Sequence, residues 1–318
     1  FGIKPLYYAE TADGLVFASE LRALLAAGAV RVQLDPAAIA GFFATGSVPE
    51  PATLVRGVRM LPPGHVLTWT GGNGSLDAFW EVGFPEPVAC SEASAIALTR
   101  SALEDSIAAH FVSDVPVGLF LSGGIDSTAL LALARGTGQA DGLATFSIAV
   151  DDPAFNEADV AAATAREFGV AHHVMRLDAA TARDGFSHFI DSMDVPSVDG
   201  FNTWTVSRLA SAHGIKVALS GLGGDEVFGG YPSFRQVPRL HAGVRALRRV
   251  PPLARSVGRA MGGAHASRWR RAAELLGRDG GLDDAYRAYR GVFPLADAVR
   301  HQLETGLDLL GITVPERM

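Results

Sequence analysis

The stretch Leu119-Phe120-Leu121-Ser122-Gly123-Gly124-Ile125-Asp126-Ser127 constrains the fold more than any other, because an apolar run passes through two glycines straight into a helical pattern. An apolar run without alternation is what a strand buried on both faces looks like, and a strand that feeds a helix through so short a turn opens a β-α-β unit. The pattern then continues. Residues 116–121 read as a strand, 126–135 as a helix, 144–150 as a strand, 156–168 as a helix and 172–177 as a strand, followed by helices near 181–193 and 203–213 and a strand over 217–219. Strands alternating with helices of this length predict an α/β fold whose parallel sheet is covered on both faces.

The Ser-Gly-Gly turn has the chemistry of a phosphate seat. Its glycines let backbone approach an anion closely, and the helix start supplies free N–H groups and the positive end of the helix dipole. The turn lacks the Lys-Ser/Thr ending of a Walker A loop and is too short for the dinucleotide fingerprint. That difference points to cleavage between the α and β phosphates, with pyrophosphate as the leaving group. A second glycine-rich stretch, Ser220-Gly221-Leu222-Gly223-Gly224-Asp225-Glu226, again follows a strand. Ligands of open parallel sheets bind outside the carboxyl ends of the strands, so both loops are expected to face one nucleotide. Asp126 and Asp225 would then converge as hard oxygen donors for Mg²⁺. Glu226 is either a further ligand or a cap for the helix it opens.

A different pattern precedes residue 88. Residues 6–10 and 15–19 form a hairpin around Asp13-Gly14, a helix over 20–27 stops at Gly28, Asp35-Pro36 opens a second helix through Phe43, and 65–70 is a strand. Residues 81–91 read as a linker, which divides the 318 residues into a small domain over 1–88 and a larger one over 91–318. Beyond Pro238 only helices are expected. Residues 235–278 contain eleven Arg and one acidic residue, Glu274, but the Arg residues lie among Leu, Val and Ala at helical spacing and read as solvated helix faces. No nucleic-acid partner is expected from them, and no membrane partner, since no run approaches the ~18 apolar residues of a membrane span. The single Cys90 favours a reducing compartment, read as the cytoplasm.

With both loops in hand, the sequence resembles the glutamine-dependent asparagine synthetases, and Ser-Gly-Gly-x-Asp-Ser resembles the PP-loop of adenine-nucleotide α-hydrolase-like ligases. Phe1-Gly2-Ile3-Lys4-Pro5-Leu6-Tyr7-Tyr8, Phe17-Ala18-Ser19-Glu20 and Leu61-Pro62-Pro63-Gly64-His65 resemble the end of that family's N-terminal, Ntn-type glutaminase domain. The resemblance implies a PP-loop α/β domain preceded by a partial α+β domain and followed by a helical part. It implies an ATP-dependent ligase that makes asparagine from aspartate through an aspartyl-adenylate, with ammonia drawn from glutamine; an alternative is a related amidotransferase acting on another carboxylate. ATP and Mg²⁺ are the implied cofactors, and a homodimer is left open. Carried over by residue, Leu121, Ile148, Ser220 and Gly221 would contact the nucleotide, Ser122, Gly123, Gly124 and Ser127 would cradle pyrophosphate, and Asp126 and Asp225 would hold Mg²⁺ and serve catalysis. Ser197 and Asp199 would contact the acceptor substrate.

Three departures qualify the resemblance. The family's nucleophile is an N-terminal Cys, whereas Cys90 lies in the linker. Leu222 stands where the family usually has a Glu, which raises the possibility of another acceptor. The family's catalytic Lys lies in a downstream segment that is not reached before Met318; Lys4 and Lys216 are the sole lysines and neither takes its place. The chain is therefore expected to be truncated at both ends and inactive alone.

Overall fold

Burial on both faces of Val117–Phe120 (β6) fixes the centre of a four-stranded parallel sheet in the order β8-β7-β6-β9, with Ala144–Val150 as β7, Ala171–Leu177 as β8 and Val217–Leu219 as β9. The computed structural model describes residues 2–83, 86–153, 156–198, 200–262, 275–276 and 281–290. Two units emerge from its contacts. One contains Phe1–Gly83, Met193–Val198 and Tyr231–Met318, and the other, which holds this sheet, contains Phe84–Ser192 and Asp199–Gly230.

In the sheet unit the two-residue periodicity of a strand sorts the core. Leu119 and Leu121 face Ile107 of α3 (Glu92–His110), Leu131 and Ala134 of α4 (Ile125–Gly136), and Ala161 and Ala165 of α5 (Ala158–Phe168). Phe120 and Phe146 face the opposite way, against Val206, Leu209 and Ala210 of α7 (Phe201–Ala212). Helices thus cover both sides, as the alternating pattern predicts. Burying a large apolar side chain such as Leu131 or Phe146, both fully buried, contributes roughly 1.5–3 kcal/mol each. The chain steps outward from β6 to β7 and β8, then returns to place β9 on the other side of β6. That reversal creates a switch point, where the loops after β6 and β9 diverge and leave a crevice. Helices α6 (Ala179–Ser192) and α8 (Gly224–Phe228) complete this unit.

The other unit begins with β1 (Tyr7–Thr11) and β2 (Gly14–Ala18), paired antiparallel with Thr11 opposite Gly14. The positive φ that the turn requires falls on Gly14, at 128°. Val58–Met60 (β3) pairs with the other edge of β1, and Tyr7, Ala9 and Val58 pack on Leu21 and Leu24 of α1 (Leu21–Ala26). Asp35 caps α2 (Pro36–Thr45), accepting from the Ala37 N–H at 2.9 Å. Strands β4 (His65–Thr70) and β5 (Asn73–Ala78) form a second hairpin around Gly71-Gly72, whose φ values of 59° and 86° suit its two-residue turn. The same unit contains α9 (Ser233–Arg248), α10 (Pro251–Gly262) and α11 (Leu282–Arg290); Val237 and Val244 of α9 pack against Ala285 of α11.

Asp194 ties this unit together locally. Helix α1 has no side-chain cap of its own at Glu20, and the Asp194 carboxylate supplies one, accepting from the Leu21 N–H at 2.9 Å and from Arg22 Nε at 2.7 Å.

Candidate active site

The crevice at the switch point is a cavity of about 1160 Å³ in the sheet unit. Its floor is the carboxyl edge of β6 and β7, through Leu121, Phe146, Ser147 and Ile148. Its sides are the loop after β6, through Ser122 and Gly124, the loop after β9, through Ser220 and Gly221, and Asn202, Thr203 and Val206 on α7. Asp126 and Asp225 both line it. Of the residues that the sequence assigns to nucleotide and metal, Leu121, Ser122, Gly124, Asp126, Ser127, Ile148, Ser220, Gly221 and Asp225 therefore meet at one cavity.

Glycines allow the two loops to close on each other. A Cβ on Gly221 would come within 2.9 Å of the Ser127 nitrogen and 3.0 Å of the Asp126 Cβ, and one on Gly224 would come within 2.5 Å of the Asp126 Cγ. A Cβ on Gly230 would strike the Asp225 carboxylate. The second loop thus lies directly on the first turn of α4, and its bare backbone makes room for both carboxylates.

The first loop is braced from inside. Ser127, buried beneath it, accepts the Ser122 N–H through Oγ at 3.1 Å and lies 2.9 Å from the Ser122 hydroxyl, while Ser122 Oγ accepts the Gly124 N–H at 3.1 Å. The Leu121 N–H continues the sheet ladder to the Phe146 carbonyl at 2.9 Å. Helix α4 begins at Gly124 without a side-chain cap, so its first turn keeps the orphan N–H groups that attract an anion.

Gly123 is placed differently from its neighbours. It is not among the cavity-lining residues; its N–H donates to Glu157 Oε2 at 2.9 Å. The backbone puts Glu157 itself at the N-cap of α5, without a capping bond from its side chain, while Asn156 Oδ1 takes the Ala158 N–H at 3.3 Å. No signal local to residue 157 foretells this contact, because the partner is 34 residues away.

A hydroxyl and imidazole relay reaches the cavity wall. Thr145 Oγ donates to the Ala171 carbonyl at 2.8 Å and lies 2.8 Å from His172 Nδ1; His172 Nε2 lies 3.1 Å from Ser147 Oγ. The only hydroxyl proton on Thr145 is committed to Ala171, so Nδ1 carries the imidazole proton and Nε2 accepts from Ser147. Burial pushes the His172 pKa below its ordinary value, and the neighbouring His173 adds to the shift; burial, then His213, does the same to His173. The neutral tautomer is the one that this pairing needs.

The cavity's charge is one-sided. Among its described lining residues there are two carboxylates and no Lys or Arg. Two hard oxygen donors suit Mg²⁺, which usually takes one or two protein carboxylates and fills its remaining positions with phosphate oxygens and water. Among the described residues no group of three or more His, Cys, Asp or Glu could hold a metal, so a cation here fits only together with an oxygen-rich ligand. Leu222, Ile125 and Phe228 also line the cavity and are 88%, 85% and 61% exposed, giving it an apolar margin beside the acidic pair.

Ser197 and Ser47 both belong to the unit without this sheet, where they form an isolated bridge, and Ser197 is not among the residues lining the cavity; Asp199 lies outside the described residues. Sequence reasoning missed Phe146, Ser147, Asn202, Thr203 and Phe228. The signal for Ser147 is its place two residues beyond Thr145 on a strand that ends at the same edge as β6, and that for Asn202 and Thr203 is a polar pair at the start of the helix Phe201–Ala212.

A parallel sheet with its crevice at the switch point, walled by two glycine-rich loops and two carboxylates, defines a nucleotide-binding α/β domain of the PP-loop class. The chain belongs to the asparagine synthase family, whose model (Asparagine synthase) matches residues 98–302, and residues 1–80 match the model of the glutamine amidotransferase domain. It is 35% identical over 239 residues to "Asparagine synthetase [glutamine-hydrolyzing] 1" of Bacillus subtilis, covering 74% of this chain and 37% of that protein. It is 31% identical over 251 residues to "Asparagine synthetase [glutamine-hydrolyzing] 3" of the same organism, covering 73% and 40%. A further relative, "Amidase chyE" of Penicillium rubens, is 28% identical over 259 residues, covering 74% and 37%. The chain thus spans well under half the length of each of these relatives.

Proposed function

We propose that this chain is the ATP-using part of an amide-forming ligase that makes asparagine from aspartate, with ammonia supplied from glutamine in the intact gene product. The observation that carries the reading is the convergence of Asp126 and Asp225 on the one cavity walled by both glycine-rich loops. Ser122, Gly124 and the first turn of α4 face the β and γ phosphates, Leu121 and Ile148 border the nucleoside, and Ser220 and Gly221 close over it. Because the Leu121 N–H is engaged in the sheet and its side chain packs in the core, its contact comes from its carbonyl.

The chemistry follows from the charge to be moved. A carboxylate is a poor electrophile; when its oxygen bonds to the α-phosphorus, the bond from that phosphorus to the β-phosphate oxygen breaks and pyrophosphate leaves with the electron pair. Ammonia then adds to the acyl carbon of the aspartyl-adenylate, AMP departs and a proton is released. Asp126 and Asp225 would hold Mg²⁺, which when bound neutralises charge on the departing pyrophosphate. The chain's own part is to orient the phosphates with the uncapped first-turn N–H groups of α4 and to align the acceptor, which is how phosphoryl chemistry is mostly catalysed. The proposal also takes the protein to work in the cytoplasm, where Cys90 stays reduced.

Pyrophosphate release by the intact gene product, with ATP, aspartate and ammonium, tests the reading. Release strictly dependent on aspartate is expected. Release that ignores aspartate removes asparagine as product, and no release with any carboxylate removes the ligase reading itself.

One observation favours a second reading, in which another carboxylate is the acceptor. The Leu222 side chain can neither pair with an ammonium group nor donate a hydrogen bond, and together with Ile125 and Phe228 it gives the acidic pair an apolar neighbour. Such a rim suits an acceptor with apolar surface next to its carboxylate better than it suits aspartate. Rescue of an asparagine auxotroph by the intact gene separates the two, since growth requires asparagine itself.

A further inference from the structure

Each N–H of the Ser122-Gly123-Gly124 turn is already occupied, and the occupants differ in kind. Hydroxyls of Ser127 on α4 and Ser122 in the loop take those of Ser122 and Gly124, whereas that of Gly123 is taken by a formal negative charge from a distant element, Glu157 at the start of α5. The contact is seated. A Cβ on Gly123 would lie 3.2 Å from the Glu157 Cβ and 3.4 Å from the Val160 Cβ, so the loop rests on the first turn of α5 with no room for a side chain between them. Glu157 spends no capping bond on its own helix, which leaves its carboxylate for the loop.

We infer that Glu157 is a positioning residue for the phosphate loop: its carboxylate holds the Gly123 amide while no phosphate is present and competes with pyrophosphate for it. The inference rests on the proposed reading of this turn as a phosphate seat. Two like-charged acceptors cannot share a single N–H, and a carboxylate beside a bound polyphosphate is repelled unless a cation intervenes. The arriving nucleotide must therefore displace Glu157, and its return favours departure of the pyrophosphate left after adenylation. Of the loop residues, Gly123 alone is absent from the cavity lining, as expected for an amide turned toward Glu157.

The test is titration of the intact gene product with magnesium pyrophosphate, as wild type and as Glu157→Gln and Glu157→Ala variants, alongside their melting temperatures. Gln keeps the acceptor and its size but not the charge, and Ala keeps the Cβ on which the loop rests. A charged acceptor binds an N–H about twice as strongly as a neutral one, and the contact is open to water. The Gln variant should accordingly bind pyrophosphate about fivefold tighter and release it more slowly, with an unchanged melting temperature. A merely structural Glu157 would give weaker binding and lower melting together. Tighter binding by either folded variant supports the inference, and wild-type or weaker binding by both overturns it while leaving the phosphate seat intact. A wild-type protein that binds neither pyrophosphate nor ATP overturns the seat and the inference with it.

Discussion

Replacing Gly224 with Ala probes the site through a single methyl group. The new Cβ would lie 2.5 Å from the Asp126 Cγ, against an ordinary contact of 3.4–4 Å, so the carboxylate must retreat by roughly 1 Å. Backbone conformation does not demand glycine here, since Gly224 is not among the positive-φ residues and opens the helix Gly224–Phe228. Overpacking costs about 1–3 kcal/mol, partly offset by the ~0.8–1 kcal/mol by which Ala exceeds Gly in a helix. A stability loss of about 0–2 kcal/mol is expected on that reckoning. Activity should suffer far more, because a misplacement of about 1 Å in a reacting constellation costs on the order of a hundredfold in rate. The assay is pyrophosphate release by the intact gene product, read beside the melting temperature. Gly136→Ala is the control, since its Cβ meets nothing within 4 Å at the end of α4; it should leave the rate unchanged and be neutral or slightly stabilising. A Gly224→Ala enzyme within about twofold of wild-type rate would refute the idea that the placement of Asp126 governs the chemistry.

Asp126→Asn and Asp225→Asn should each slow metal-dependent pyrophosphate release about a hundredfold or more, and the double variant should be little worse than either, as for groups that act as one unit. Full additivity of the two losses would argue for separate roles. Stability should fall on acidification: His172 and His173 titrate lower in the fold than in the unfolded chain, so the stability they contribute is complete above about pH 6.5 and is lost as pH drops toward their depressed folded values. Urea midpoints at about pH 7.5 and about pH 5.5 measure this, and a midpoint that rises on acidification would contradict it. Asp194→Ala removes the cap of α1 and should cost about 0.5–2 kcal/mol, seen as a lower melting temperature without a change in ATP affinity; a neutral variant would mean that the Leu21 and Arg22 contacts contribute nothing.

What could be read from the chain was whatever is written in local period and punctuation. The run from Leu119 through Ser122-Gly123-Gly124 specifies strand, turn and helix within nine residues, and the second loop does the same after Leu219, so the parallel sheet and the positions of Asp126 and Asp225 were legible. Features that depend on distant partners were not. Val58–Met60 is a three-residue strand defined by its pairing with β1 rather than by its own pattern. Asn73–Ala78, exposed throughout and rich in residues poor at forming strands, is extended because it folds back on β4. The link from Asp194 to Leu21 spans 173 residues. The tautomer of His172 follows from the register that sets it opposite Thr145, and register across a parallel crossover leaves no trace in a single strand's composition. Pro238 within Ser233–Arg248 shows tertiary packing overriding a local breaker signal.

The most direct measurement is a crystal structure of the intact gene product with a non-hydrolysable ATP analogue and magnesium. One cation touching both Asp126 and Asp225, with the phosphates against Ser122 and Gly124, is the expected arrangement. Phosphates bound elsewhere, or a cation that meets neither carboxylate, would contradict it.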